Sequence, residues 1–188
     1  SSSTSTSKDS TRTLAVIESD AKSVEKSVAA LQETGDKSLF NEVTKTDENG
    51  NKTTGYDTDA IYKAVKNFTD SYNSLIDEVG NSNTKSILRA GASMVNVTEA
   101  NRKSLSDIGI SIGADNKLTI DEEKFKKTDM SKVKAMFADS SYYGTEVKRQ
   151  AGRAESYAKS EAAKANTYQK SGSYTYNYRT GELYNSTI

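Results

Sequence analysis

Asp121, Glu122 and Glu123 stand side by side and form a carboxylate cluster. Neighbouring carboxyls can move protons or hold a cation. At the start of a helix the same residues cap the first N–H groups and complement the helix dipole, and that is the expectation for these three. Asp47-Glu48-Asn49-Gly50-Asn51 has the look of a calcium loop. Such a loop needs Glu at its twelfth position, which counted from Asp47 is Thr58, so a hairpin turn is expected. Ser23 with Lys26, and Ser82 with Lys85, fit the Ser-x-x-Lys spacing of a Ser/Lys nucleophile. No oxyanion-hole context accompanies either, and a chain rich in both residues produces such pairs by chance. Lys148, Arg149, Arg153, Lys159, Lys164 and Lys170, interleaved with Tyr157 and Tyr168, make a basic face. Such a face could grip nucleic acid; a solvated helix surface is the expectation. Tyr174, Tyr176, Tyr178 and Tyr184 are the candidate partner-contact residues, because tyrosine is favoured at protein interfaces. The alternative is a short hairpin laying its rings on its own domain.

The absences constrain chemistry more than the clusters suggest it. The sequence has no His, Cys, Pro or Trp. Without His the commonest general base and metal ligand is missing, and without Cys there is no thiolate, disulfide or zinc–sulfur site. No catalytic, metal or cofactor-binding residue is expected, and no enzymatic activity. Lys plus Arg number 26 and Asp plus Glu number 26. That balance provides no global field to draw in DNA or an anionic membrane. No apolar run reaches the ~18 residues a membrane-spanning helix needs. Hydrophobic residues make up 34% of the chain, which suits thin layers of packed helices better than a thick core.

The elements follow from spacing. Residues 1–12 are Ser/Thr-rich and read as a flexible leader that cannot repay its ordering entropy. Leu14, Ile17, Ala21, Val24, Val28 and Leu31 form a heptad seam, which Gly35 is expected to end. Asn49-Gly50 between Thr-rich flanks predicts a hairpin within 39–56. Ile61, Val65, Phe68, Tyr72, Leu75 and Val79 form a second heptad seam, capped by Asp57 or Thr58 and stopped by Gly80. This seam is expected to face the first across a helix pair. Ile87, Gly91, Met94, Thr98, Asn101 and Leu105 continue the pattern on a third helix, capped by Asn83 or Thr84. Its polar half implies a partly wet partner. Alternating Ile108, Ile110 and Ile112, then Leu118 and Ile120, predict a second hairpin within 108–121. Short helices are expected around Phe125 and around Val133, Met136 and Phe137. A long one from about 142 to 170 carries Val147, Ala151, Ala154, Ala158 and Ala165. Alanine gives high helix propensity but little burial, so this helix either leans on a neighbour or stays largely solvated.

Four pieces between 57 and 138 resemble the bacterial flagellar cap protein family, hook-associated protein 2. The first runs from Asp59-Ala60-Ile61 through Phe68 to Tyr72-Asn73-Ser74-Leu75-Ile76, similar to the family's helix ending in Tyr-Asn-Ser-Leu-Ile. Ser104-Leu105-Ser106-Asp107-Ile108-Gly109-Ile110 is the second. Asn116-Lys117-Leu118-Thr119-Ile120-Asp121-Glu122-Glu123-Lys124-Phe125 is the third, and Val133-Lys134-Ala135-Met136-Phe137 the fourth. Their order and spacing make the resemblance specific over somewhat under half the chain. It implies the helical stalk near that family's C-terminus: a mainly α fold, an elongated antiparallel, coiled-coil-like bundle with two small β-hairpins. It also implies an exported, extracellular structural protein at the filament tip. Its partners would be copies of itself and flagellin-like or hook-associated proteins, with no nucleic acid and no membrane span. The alternative is a secreted or surface-attached helical adhesin that kept the stalk fold. The family's terminal helix carries Leu/Ile heptads, whereas here it is alanine-rich and followed by tyrosines. A monomer or weak oligomer is therefore expected in isolation. The domain plan is a leader over 1–12, a bundle with its hairpins over 13–170 and a Tyr-rich tail over 171–188.

Overall fold

The structure, a computed structural model, describes residues 6–171, and side chains through residue 164. Four long helices carry the fold: α1 (Thr11–Leu31), α2 (Thr58–Val79), α3 (Lys85–Ala100) and α7 (Tyr142–Ser171), with short α4 (Arg102–Asp107), α5 (Glu122–Lys127) and α6 (Met130–Phe137) between the last two. Two two-stranded antiparallel hairpins complete it: β1 (Glu42–Thr46) with β2 (Lys52–Tyr56), and β3 (Ile110–Ile112) with β4 (Leu118–Ile120). The expected mainly α architecture with two small hairpins is the architecture observed.

Each seam is buried as its spacing predicts. Leu14, Ile17, Ala21, Val24, Val28 and Leu31 on α1 have no exposed surface, nor do Ile61, Val65, Phe68, Tyr72 and Leu75 on α2. Asp57 caps α2, its carboxylate accepting from the Ala60 N–H at 3.2 Å. Helix directions follow from cross-helix pairs. Gln32 meets Thr145 and Lys22 meets Glu155, so α7 runs antiparallel to α1. Asp9, just before α1, meets Ser82, just after α2, so α2 is antiparallel to α1 as well. Tyr72 meets Thr98, and Thr98 meets Tyr143, so α3 opposes both α2 and α7.

The expected pairing of the α1 and α2 seams is found, but it is only one side of α1. Helix α7 lies along another side of α1 and also covers α3. Ala151, Ala154 and Ala158 are fully buried, joined by Ala162. The alanine helix leans on its neighbours because a methyl side chain lets two backbones approach closely. A similar approach brings α2 to α3: a Cβ built on Gly91 would sit 2.5 Å from Val79 Cγ1.

Four local expectations are corrected. Helix α1 ends at Leu31, before Gly35, whose left-handed φ of 68° opens a separate 3-10 turn over Gly35–Lys37. The third helix breaks at Asn101 rather than running on to Leu105, since the Asn101 side chain donates to the Val97 carbonyl at 2.7 Å and competes with the next helical turn. Its polar half is dry: Thr98 is buried, and its hydroxyl lies 2.9 Å from both the Tyr72 and Tyr143 hydroxyls. Burial holds both phenols protonated, pushing Tyr72 up to about 12 and Tyr143 well above its ordinary value. Asp9 to Arg12, expected within the leader, are held in the fold. Ser10 caps α1 by accepting from the Thr13 N–H at 3.0 Å, and Asp9 is 7% exposed. Apolar content missed this segment because polar bonds hold it.

Candidate functional site

The acidic and Ser/Lys candidates each take a structural role. Asp121 accepts from the Lys124 N–H at 3.0 Å and caps α5. Glu122 pairs with Lys126 at 2.6 Å, and Glu123 with Lys127 at 2.8 Å, one turn along the same helix. Lys126 also reaches Asp59 at 3.0 Å and stands 5.1 Å from the centre of the Tyr62 ring. The three acids are thus distributed among caps and ion pairs and converge on no common point. Asp47 turns its carboxylate on its own loop, accepting from the N–H groups of Asn49 (2.9 Å) and Asn51 (2.8 Å). The bond from Asn51 foremost, then that from Asn49, holds its carboxyl below the usual range. Gly50 takes φ 81° at the turn, as a tight hairpin requires.

The Ser/Lys pairs assemble no nucleophile. Ser23 Oγ donates to the Ser19 carbonyl at 3.2 Å, and Ser82 Oγ donates to Asp9 at 2.6 Å. On α7 three of the basic residues are matched by acids of the same helix. Arg149 pairs with Glu146 at 2.6 Å, Lys159 with Glu155 at 3.0 Å and Lys164 with Glu161 at 2.7 Å. Tyr157 is 37% exposed, while the side chains of Tyr168 and Lys170 lie outside the described residues. Tyr174, Tyr176, Tyr178 and Tyr184, the expected partner contacts, also lie outside them, as do the expected tail hairpin and the side chain of Ala165. Among the described residues no group of three or more acids converges as a metal site would. A surface hollow of about 650 Å³ is lined by Lys45, Asp57, Asp59, Tyr62 and Lys126 among others and opens widely to solvent. No helix among the described residues is long and apolar enough to cross a membrane.

The polar features that matter most were missed by sequence reasoning. Asp9 accepts from Ser82 Oγ, the Asn83 N–H and Thr84 Oγ1 (2.7 Å), clasping the corner where α2 passes into α3. No local pattern links position 9 to 82–84. Asn73 holds β4 from α2 with both ends of its amide. Its Nδ2 donates to the Leu118 carbonyl at 2.8 Å, and its Oδ1 accepts from the Leu118 N–H at 2.7 Å. Tyr72 and Asn73, the first residues of the Tyr-Asn-Ser-Leu-Ile piece, thus tie α2 to α3 and to the second hairpin. Along the α1–α7 seam lie three acids, Glu18, Glu25 and Glu155. Their sequence signal was legible: Glu18, Glu25 and Gln32 recur every seventh residue, directly after seam positions Ile17, Val24 and Leu31.

The geometry is that of a dry helical module whose charged groups brace helices and turns. The family described as Flagellar hook-associated protein 2 C-terminus matches residues 82–187. That stretch begins at the α3 corner and takes in three of the four pieces that carry the resemblance. No curated protein and no solved structure matches the chain. The match spans more than half of the sequence, and the chain belongs to the flagellar hook-associated protein 2 C-terminus family.

Proposed function

We propose that this chain is a non-enzymatic structural subunit of the flagellar cap, working outside the cell at the filament tip through contacts with copies of itself and with flagellin-like or hook-associated proteins. The family match over residues 82–187 carries the reading. The brace-like use of the acids and the shallow surface hollows are consistent with assembly rather than turnover. The test is genetic. The full chain is produced in flagellated bacteria that lack their own hook-associated protein 2, and motility and filament growth are scored. Restored filaments are the expected result. Export of the protein without filaments would overturn the cap reading and favour the adhesin.

Self-association should be weak for the protein alone. The alanine face of α7 is consumed inside the bundle, with Ala151, Ala154 and Ala158 fully buried. Among the described residues the exposed large apolar side chains are Val43, Leu88, Tyr142 and Tyr157, on separate elements apart from the last two. Association costs on the order of 4–15 kcal/mol in lost freedom, and scattered side chains offset little of it. Light scattering on micromolar protein should give a mass near 20.4 kDa. A stable ring-sized particle would contradict this.

A further inference from the structure

The α1–α7 seam combines a thin apolar strip with a buried acidic one. Its α7 side is alanine from Ala151 onward, which contributes little apolar area. Beside that strip Gln32, Glu25 and Glu18 of α1 look toward Thr145, Gly152 and Lys159 of α7, both series stepping by one heptad. Gln32 Nε2 donates to Thr145 Oγ1 at 3.1 Å. Glu25 Oε1 would lie 2.8 Å from a Cβ on Gly152, so the carboxyl fills the hollow that the missing methyl leaves. The carboxyl of Glu155, itself 8% exposed, is its like-charged neighbour on α7. Two carboxyls brought together away from water favour a state in which one of them holds a proton. Glu18 is 1% exposed, and its Oε1 is buried without a hydrogen-bond partner. The cations facing the acids are Lys22 of α1 (3.8 Å from Glu155), Lys159 of α7 (3.0 Å from Glu155), and Lys148 of α7. From α2, Glu78 faces Asp20 of α1 and adds a further like charge.

We propose that this seam is a proton-operated latch on helix α7. With one proton held between Glu25 and Glu155, α7 stays docked on α1. Losing it leaves like charges facing across the seam and loosens the stretch from Ala151 to Ala162 more than α2. The direction of the pH response follows from the site. Burial first, then the neighbouring Glu155, raises the Glu25 carboxyl from 4.5 to about 7. Burial raises Glu18 too, and burial with Glu78 raises Asp20 to about 6. Groups raised on folding favour the folded state most fully below their unfolded values, near 4–4.5, and lose that contribution as the pH climbs through about 6–7. The latch therefore holds in mild acid and slackens above neutrality.

Amide hydrogen exchange, corrected for intrinsic rates, tests this on the full chain between about pH 5 and 8.5. Each unit of raised proton affinity is worth tenfold in an opening equilibrium. Allowing for solvent screening of the half-buried Glu25, protection of 151–162 should fall by about tenfold, and that of Ile61–Val79, which meets only the Asp20–Glu78 pair, should fall less. Glu25→Gln should flatten the response. The side-chain carboxyl of Glu25 in the unaltered protein should titrate by NMR with a midpoint above about 5.5, a readout that needs no variant to fold. A midpoint below that overturns the latch. So does a fall in protection under about threefold, a fall of equal size in all four long helices, or an undiminished response in Glu25→Gln.

Discussion

Phe68→Ala is expected to lower the stability of the fold by about 3–5 kcal/mol. Its ring has no exposed surface and sits where three helices meet. Ring centres lie 5.2 Å from Phe137 of α6, 5.8 Å from Tyr72 of α2 and 6.1 Å from Tyr143 of α7, the first and last in edge-to-face geometry. Phe137 and Tyr143 also meet edge to face at 5.8 Å. Removing the central ring leaves a cavity that cannot collapse without moving several elements. It also forfeits edge-to-face contacts worth roughly 0.5–1.5 kcal/mol each. Chemical denaturation, with the m-value held as a check on the unfolded state, measures the loss. Phe68→Leu keeps most of the volume and should lose much less. An unchanged midpoint for Phe68→Ala would mean that the aromatic node is not the packing centre of the bundle.

Asp9→Ala is expected to cost about 2–4 kcal/mol, because hydrogen bonds to a charged group contribute roughly 1.5–3 kcal/mol and the change leaves the buried Ser82 hydroxyl without its acceptor. The side chain is nearly buried and takes three hydrogen bonds from Ser82, Asn83 and Thr84. Thr84, at the start of α3, has no capping bond of its own side chain to that helix. Burial works to raise the Asp9 carboxyl, but the bonds from those three residues outweigh it and hold it below 3.8. A group lowered on folding stabilises above its unfolded value and stops doing so as the pH falls through the folded one. The Asp9→Ala protein should therefore lag the parent at neutral pH and approach it as the pH falls well below 3.8. Thermal melts across that range are the measurement. A constant deficit would show that the carboxylate charge is not what holds the clasp. With the α1–α7 acids acting in the opposite direction, the parent should be most stable in mild acid.

Much of the fold was written in local patterns. The two heptad seams, the Asn-Gly hairpin, the Ile-rich second hairpin and the Asp121 cap all express short-range rules. Side-chain periodicity, turn stereochemistry and capping depend on residues within a few positions of one another. The family resemblance was legible for the same reason, since its four pieces are contiguous runs. The absence of His and Cys likewise narrows the chemistry whatever the fold.

Tertiary structure decided what depends on distant partners. Whether an alanine stripe is a solvated face or an interior contact depends on what lies across from it, and here α1 and α3 do. Thr98 looked like a wet position because its partners, the hydroxyls of Tyr72 and Tyr143, arrive from two other helices. Asp9 looked like part of a polar leader because the donors it satisfies are some seventy residues away. Acids spaced like Glu18 and Glu25 are solvated on an open helix, and only the packing of α7 brings Glu155 against them. Burial separates the two outcomes by removing water, the alternative partner for every charge.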